Sequence, residues 1–451
     1  MTVAVWLTVV IGAVPLIGCL LWWWNDIWYG LVMTALRPSQ SGTKLPPGYM
    51  GLPIIGETLT FLWYFKFLGR PEDYINSKRQ KYGDGTGMYK THLFGRPSVI
   101  TFLPTTNKFV LRDTETFRLE WANPELIGKT SMFVVNGDAH LRIRNFVIRS
   151  INQPDALRRI ALAVQPRMIS ALQTWTTRGK INSFNEIMKV TSENIGKYFA
   201  SFEPGPILDK INEHFEEILD GFTAYPLNIP GFKFHRAIQS RRKAQAIFKE
   251  ELDRRRNNTD GSNQPINDLI DGFITLKDEE GNYLSDTEIL DNITSIVLGG
   301  VRAKKLVTSD EIFKLVYTIK VVDETVRLSN VANFVLRTTT EDVEYKGYTI
   351  PKGWNMIVLL RNVHVDPKNY DDPLCFNPDR WDGSMLPENF QAFGAGPRTC
   401  AGNMLARLQL ALFLHHISTG YKWELVNPDV KVKYLPNPKP EDGLEITIVR
   451  L

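Results

Sequence analysis

The ten residues FGAGPRTCAG, Phe393 to Gly402, restrict this 451-residue chain more than any other stretch. They place one cysteine, Cys400, among the glycines Gly394, Gly396 and Gly402, beside Pro397 and Arg398. The other cysteines are Cys19, inside an apolar run, and Cys375, and three well-separated thiols do not make a disulfide framework. A zinc site fares no better, because no second Cys or His stands at ligand spacing around Cys400. A plain buried cysteine is the common fate of a thiol, but the neighbours argue otherwise. Glycines let a backbone approach another group closely and take unusual dihedrals. The stretch that follows, NMLARLQLALFLHHI, has apolar residues at helical spacing, so Cys400 sits just before a helix N-terminus, where a thiolate is favoured. A solitary thiolate in a stiff glycine loop reads as a metal ligand whose metal arrives with a cofactor.

With 43% hydrophobic and 11% aromatic residues, the chain can build a sizeable core. Its net charge of +4 gives little reason to expect an acidic partner. Arg241-Arg242-Lys243 and Arg254-Arg255-Arg256 read as solvated helix faces, and no nucleic-acid partner is expected. The N-terminus is more telling. Val3 to Trp24 is uncharged and would span about 33 Å as a helix, enough for a bilayer core. Trp22, Trp23, Trp24, Trp28 and Tyr29 gather at one end, as an interfacial belt would. A cleaved signal peptide would want a basic start and a small-residue cleavage site, and neither is clear. No Lys or Arg precedes the run, whereas Arg37 and Lys44 follow it. The expectation is a single-pass anchor over residues 1–28, with the body on the cytoplasmic side, where the Asn257 and Asn292 triplets escape glycosylation. A proline-containing linker (29–48) would hold that body, residues 49–451, at a fixed distance from the membrane.

Along the body, residues 87–103 predict two short strands around a Gly-Arg-Pro turn, and 345–360 return to strand around Pro351-Lys352-Gly353. Residues 105–330 are mainly helical, with amphipathic stretches such as KINEHFEEILDGF and QAIFKEELDRRR. The fold class predicted is mainly α with a smaller β portion, without a composition break that would divide it.

Three short patterns accompany the cysteine loop. Glu324 and Arg327 lie i,i+3 on one helical face and can pair. Arg380, in CFNPDRW, could close a Glu-Arg-Arg cluster, and His140 and Arg144 stand four apart beside Arg142. Taken in this order and spacing, the patterns resemble the cytochrome P-450 family of haem-thiolate monooxygenases, whose Phe-Gly-x-Gly-x-Arg-x-Cys-x-Gly signature the loop matches at every fixed position. The stretches LPPGYMGLPIIGETL, YKTHLFGRPSVI, LNIPGFKFHRA and DETVRLSN resemble its plant branch that oxidises terpenoids and steroids, which includes kaurenoic acid oxidases and β-amyrin oxidases. The resemblance implies the P-450 fold behind a transmembrane helix, haem b (iron protoporphyrin IX) as cofactor, and Cys400 as the axial ligand of its iron. It implies a loop of Phe393, Gly394, Gly396 and Gly402 around the sulfur, with Arg398, His140, Arg144 and Arg337 on the haem propionates. Glu324, Arg327 and Arg380 would lock the scaffold. A hydrophobic substrate pocket would draw on residues 113–136, 221–235 and 331–335. The implied partners are a membrane-bound NADPH–cytochrome reductase and a small hydrophobic substrate, and the implied location is the endoplasmic reticulum membrane.

One departure is large. The family carries a long helix over the haem with an Ala/Gly-Gly-x-Asp/Glu-Thr pattern whose acid and hydroxyl relay protons. Here LSDTEILDNITSIVLGG approaches normally, and then Val301, Arg302 and Ala303 stand where the relay belongs. The interval from Gly300 to Glu324 is several tens of residues shorter than in relatives. The expectation is an internal deletion at about 300/301, from a skipped exon or faulty gene model or from a real loss, and no catalytic acid or threonine. Alternatives to a hydroxylating enzyme are a catalytically inactive membrane-anchored remnant and a haem-thiolate isomerase, although the compact cysteine loop speaks against the latter.

Overall fold

The computed structural model describes residues 18, 20–31 and 44–451, apart from 84, 122, 223, 258–267, 279, 301–314, 383–388 and 436. Helix α1 covers residues 20–31. It is followed by α2 (Pro71–Tyr82), α3 (Gly137–Asn152), α4 (Pro154–Arg178), α5 (Ser183–Ala200), α6 (Pro206–Gly221) and α7 (Lys233–Asn257). Helices α8 (Asp286–Gly300), α9 (Val316–Ser329) and α10 (Asn403–Gly420) complete the set used below. Pro71, Pro154 and Pro206 each open a helix, where the missing N–H is no loss. In α6 the apolar residues Leu208, Ile211, Phe215 and Ile218 recur every three or four positions and are all buried. Side chains of this kind contribute about 1.5–3 kcal/mol each when fully buried. Ile211, Phe215 and Ile218 join Met168, Leu172 and Trp175 of α4 and Leu405, Leu408 and Leu412 of α10 in one helical core.

Five strands, β1 (Met88–Leu93), β2 (Arg96–Thr101), β3 (Phe117–Arg118), β4 (Phe334–Thr339) and β5 (Asn355–Leu359), form a sheet of order β1-β2-β5-β4-β3. Pairing is antiparallel except between β2 and β5, where Ile100 faces Ile357 in parallel register. The sheet packs on a second, aromatic core that includes Phe61, Phe65, Tyr74, Tyr89 and Phe102. The architecture is mainly helical with a smaller β portion, as the sequence predicts.

One local expectation is corrected. The first hairpin turns at Phe94-Gly95, both at positive φ (54° and 78°), and Arg96 and Pro97 belong to β2. Two residues at positive φ suit the twist of a tight hairpin. Pro97 is tolerated because the β2–β5 pairing begins only at Ser98. Lys44 bridges Tyr348 and Gly48 bridges Lys90 of β1, so the end of the expected linker nearest the body is held against it, while residues 32–43 lie outside the described residues. Among the described residues no helix is long and apolar enough to cross a membrane, and most of the expected anchor, residues 1–28, lies outside them.

Candidate functional site

The cysteine loop is a tight reversal. The Cys400 amide donates to the Phe393 carbonyl (2.9 Å), and Thr399 N–H and Oγ1 both donate to the Gly396 carbonyl (3.0 and 2.7 Å). Gly394 and Gly396 hold φ of 77° and 72°. A Cβ on Gly396 would lie 2.3 Å from the Leu111 carbonyl oxygen, so no side chain fits there. Helix α10 starts three residues after Cys400, and the Gly402 N–H donates to the sulfur. Cys400 is reachable from solvent yet enclosed enough that burial pushes its thiol pKa up, with Gly402 and the Arg144 guanidinium acting the other way.

Around this loop three helical and strand segments bring cations together. Arg144 of α3 donates to the Thr399 carbonyl (2.5 Å), and Arg398 donates to the Val135 carbonyl (2.6 Å) and Asn136 Oδ1 (2.8 Å). Arg337 of β4 is buried with its Nε unpartnered. His140 of α3 is buried too. Its Nδ1 lies 2.9 Å from the Met132 carbonyl, and its Nε2 has no partner. A carbonyl can only accept, so Nδ1 carries the proton in the neutral ring. Burial first, then Arg398, Arg144 and Arg337, drive the His140 pKa down to about 4. Burial and a neighbouring arginine bring Arg337 and Arg398 down to about 10. Among the described residues no carboxylate pairs with Arg144, Arg337 or Arg398. The remaining cation of α3, Arg142, points away, to Glu288 (3.2 Å) and Asp278 (3.6 Å).

Behind the loop, Glu324 and Arg327 of α9 pair at 2.8 Å with no exposure on either side chain. Arg380 adds a bond to Glu324 at 2.9 Å, and the Asn377 amide and Trp381 Nε1 add two more at 3.0 and 3.2 Å. Burial alone would raise the Glu324 pKa, but these donors, Arg327 foremost, hold it below the usual range. Arg327 also donates to the His364 and Pro373 carbonyls (2.6 and 2.7 Å). Sequence reasoning missed Trp381. It also missed the adjacent Asp323, whose 2.9 Å ion pair to Arg407 of α10 stacks that guanidinium over Phe393, 5.4 Å from the ring centre. The aromatic residues Trp381, Phe390 and Phe393 ahead of Cys400 were the available signal.

The other wall is built from α7, α8 and residues 127–132. Asp291 of α8 accepts from Arg241 (2.6 Å), Gln245 (3.0 Å) and both the amide and hydroxyl of Thr130 (3.0 and 2.8 Å). Asn292 accepts from the Met132 amide at 2.7 Å, and Ser295 meets Ser131 at 2.6 Å. A cleft of about 640 Å³ opens beside Arg241 and Asp291, bordered by Lys129 and Asn228. It touches the expected segments 113–136 and 221–235, but Val331–Val335 do not line it, and its walls mix charged side chains with Phe234, Ile238 and Leu290. The expected relay positions 301–303 lie outside the described residues.

The profile of the cytochrome P450 family matches residues 46–304 and 301–443, and the chain belongs to that family of haem-iron monooxygenases. Its similarity lies with plant terpenoid-oxidising members. It is 32% identical to ent-kaurenoic acid oxidase 2 of Arabidopsis thaliana over 486 aligned positions, covering 96% of this chain and 99% of that one. It is 32% identical to beta-amyrin 11-oxidase of Glycyrrhiza uralensis, covering 90% and 91%. The retinoic acid-bound cyanobacterial CYP120A1 structure shares the fold at a TM-score of 0.80, with 23% identity and coverage of 91% and 100%.

Proposed function

We propose that this chain is an internally shortened terpenoid or steroid hydroxylase that retains its haem-binding side and lacks its proton relay. The observation that carries the reading is the cluster of three arginines and a neutral imidazole beside Cys400. Among the described residues Arg144, Arg337 and Arg398 converge around His140 without an acid, and a dianionic group at their centre would relieve the repulsion between the guanidinium groups and let His140 charge. The residues therefore fit a haem, with Cys400 on the iron and the cluster on the two propionates. When bound, the thiolate-ligated haem supplies dioxygen activation, the thiolate pushing electron density toward O–O cleavage. The protein's own part is to hold the sulfur in a fixed loop, neutralise the propionates and lock α9 and α10 behind them. His140 can donate from Nε2 to a propionate only as imidazolium, because Nδ1–H is committed to Met132.

The shortening is supported by the family match, which breaks into two pieces at 301–304, and by an alignment of 486 positions against a chain of 451 residues. Removing a helix segment from a packed core opens a void far larger than one side chain, and single large-to-small changes already cost about 2–5 kcal/mol. Electrons would come from a membrane-bound NADPH reductase, and residues 1–28 would anchor the protein in the endoplasmic reticulum membrane with its body cytoplasmic. The test expresses the 451-residue chain and a version with a family-length insertion between Gly300 and Val301, each with a plant NADPH reductase. The inserted form should retain haem and hydroxylate a terpenoid or steroid, while the short form yields little holoprotein and no product. Equal turnover from both would overturn the reading.

A further inference from the structure

Helix α3 closes on the cysteine loop at two carbonyls. Arg144 donates to the Thr399 carbonyl (2.5 Å), and Asn152, the last residue of the helix, donates from Nδ2 to the Ala401 carbonyl (2.7 Å). The two carbonyls flank Cys400 in the chain. A carbonyl only accepts, so the Asn152 amide is turned with its NH2 toward the loop. Its Oδ1 is buried and has no partner among the described residues, so the side chain is committed to the loop through its donor. The main chain fixes where Asn152 stands. Ile151 is buried, Gln153 is extended (φ −67°, ψ 145°) and Pro154 opens α4. The residue before a proline is pushed out of the helical region, which ends α3 at Asn152 and puts that residue at the corner between the two helices.

The bond matters because of the peptide unit it grips. The Ala401 carbonyl and the Gly402 N–H belong to one planar unit whose oxygen and hydrogen point in opposite directions. That N–H donates to the Cys400 sulfur. Gly402 precedes Asn403, the first residue of α10, where a helix start leaves N–H groups without intrahelical partners. Fixing the oxygen fixes the direction of the N–H. A donor on the carbonyl also polarises the unit and strengthens the bond made at its other end. Hydrogen bonds to a ligating sulfur draw charge from it and tune the metal it binds.

We propose that Asn152 is a positioning residue for the Cys400 sulfur: by holding the Ala401 carbonyl it aims and strengthens the Gly402 N–H, and so limits the charge that the thiolate passes to a bound haem. Asn152 touches neither the sulfur nor the haem and acts through one peptide unit. This inference rests on the haem reading above.

The test uses Asn152→Leu and Asn152→Asp, which keep the size and remove the donor, and Asn152→Gln, which keeps an amide. In the haem-free 451-residue chain, hydrogen exchange is read at the Gly402 amide by fragmentation mass spectrometry. The first two substitutions should speed it about threefold, as the loss of one neutral hydrogen bond would, and the third should restore it. In the haem-loaded form with the family-length insertion, the first two should shift the ferric–ferrous equilibrium about threefold toward ferric iron. They should also lower the C–O stretching frequency of the ferrous–CO complex, because a less hydrogen-bonded sulfur donates more charge. Unchanged exchange at Gly402 would overturn the grip. Faster exchange with an unmoved equilibrium and stretch would overturn the tuning, and an effect that Asn152→Gln does not restore would assign it to packing and overturn the proposal. Absence of a thiolate-type ferrous–CO band from the parent protein would overturn the haem reading instead, with the exchange result still deciding the grip.

Discussion

Each wall of the candidate site has a buried arginine–carboxylate pair at its centre, and the two are built differently. On the cysteine side, Glu324 and Arg327 lie one helical turn apart, and their remaining bonds reach residues 364–381. That cluster closes on itself within about sixty residues that run straight into the cysteine loop. On the opposite side, Arg241 and Asp291 come from separate helices, and residues 127–130 complete the knot. Helix α8, which holds Asp291, ends at Gly300, nine residues further on. A locally closed cluster keeps its geometry when a neighbouring segment is shortened. A cluster assembled from distant segments depends on everything that holds those segments in place.

The largest effect that would break this contrast concerns the cysteine itself. In the chain with the family-length insertion, Cys400→His should abolish the shifted absorbance of the thiolate-ligated ferrous–CO complex altogether. The Glu324 cluster, some distance along the chain, should stay intact, so haem can remain. Survival of the band would remove Cys400 from its role.

Next in size is a matched pair of neutralising substitutions. Glu324→Gln leaves two buried guanidinium groups without a counter-charge and should cost about 3–5 kcal/mol in chemical denaturation. Asp291→Asn leaves one, and Arg241 keeps bonds to Gln245 and the Ile127 carbonyl (2.6 and 3.2 Å), so about 1–3 kcal/mol is expected. Equal losses would mean that the two walls are equally self-sufficient.

The smallest effect is a pH dependence. The free imidazole takes a proton near pH 6.5, whereas His140 in the haem-free fold takes one only near 4. Between those values the unfolded chain holds the extra proton, so haem-free stability should rise with pH, His140 contributing at most about 1.4 kcal/mol per unit. The slope should shrink in His140→Gln, leaving the part due to His364, whose pKa burial lowers to about 3. A stability that instead rises toward acid would contradict the neutral, buried ring.

How far the sequence could be read follows the same divide. The cysteine loop, the Glu324–Arg327 pair and the amphipathic face of α6 were legible because each depends on residues a few positions apart. Arg380 and the His140–Arg144 pair were legible through resemblance. Trp381 on Glu324, Arg407 over Phe393 and Arg241 on Asp291 were not, since tertiary packing brings together residues that carry no mutual spacing. At the end of the linker the prolines describe local stiffness, whereas the bridges from Lys44 to Tyr348 and from Gly48 to Lys90 are tertiary pairings with no spacing signal.

The cations gathered by α3, β4 and the cysteine loop bear on how long such a molecule lasts after synthesis. Like charges held at close range in a partly buried space strain the fold until an anion arrives, and loading then releases that strain. With these side chains on the propionates, as proposed, cofactor capture and resistance to degradation would be linked in one set of residues. A chain that loads promptly gains a long life, while one that does not opens more often and is cleared by proteolysis. On that assignment the arginines and His140 would act as an assay of completeness carried by the protein itself.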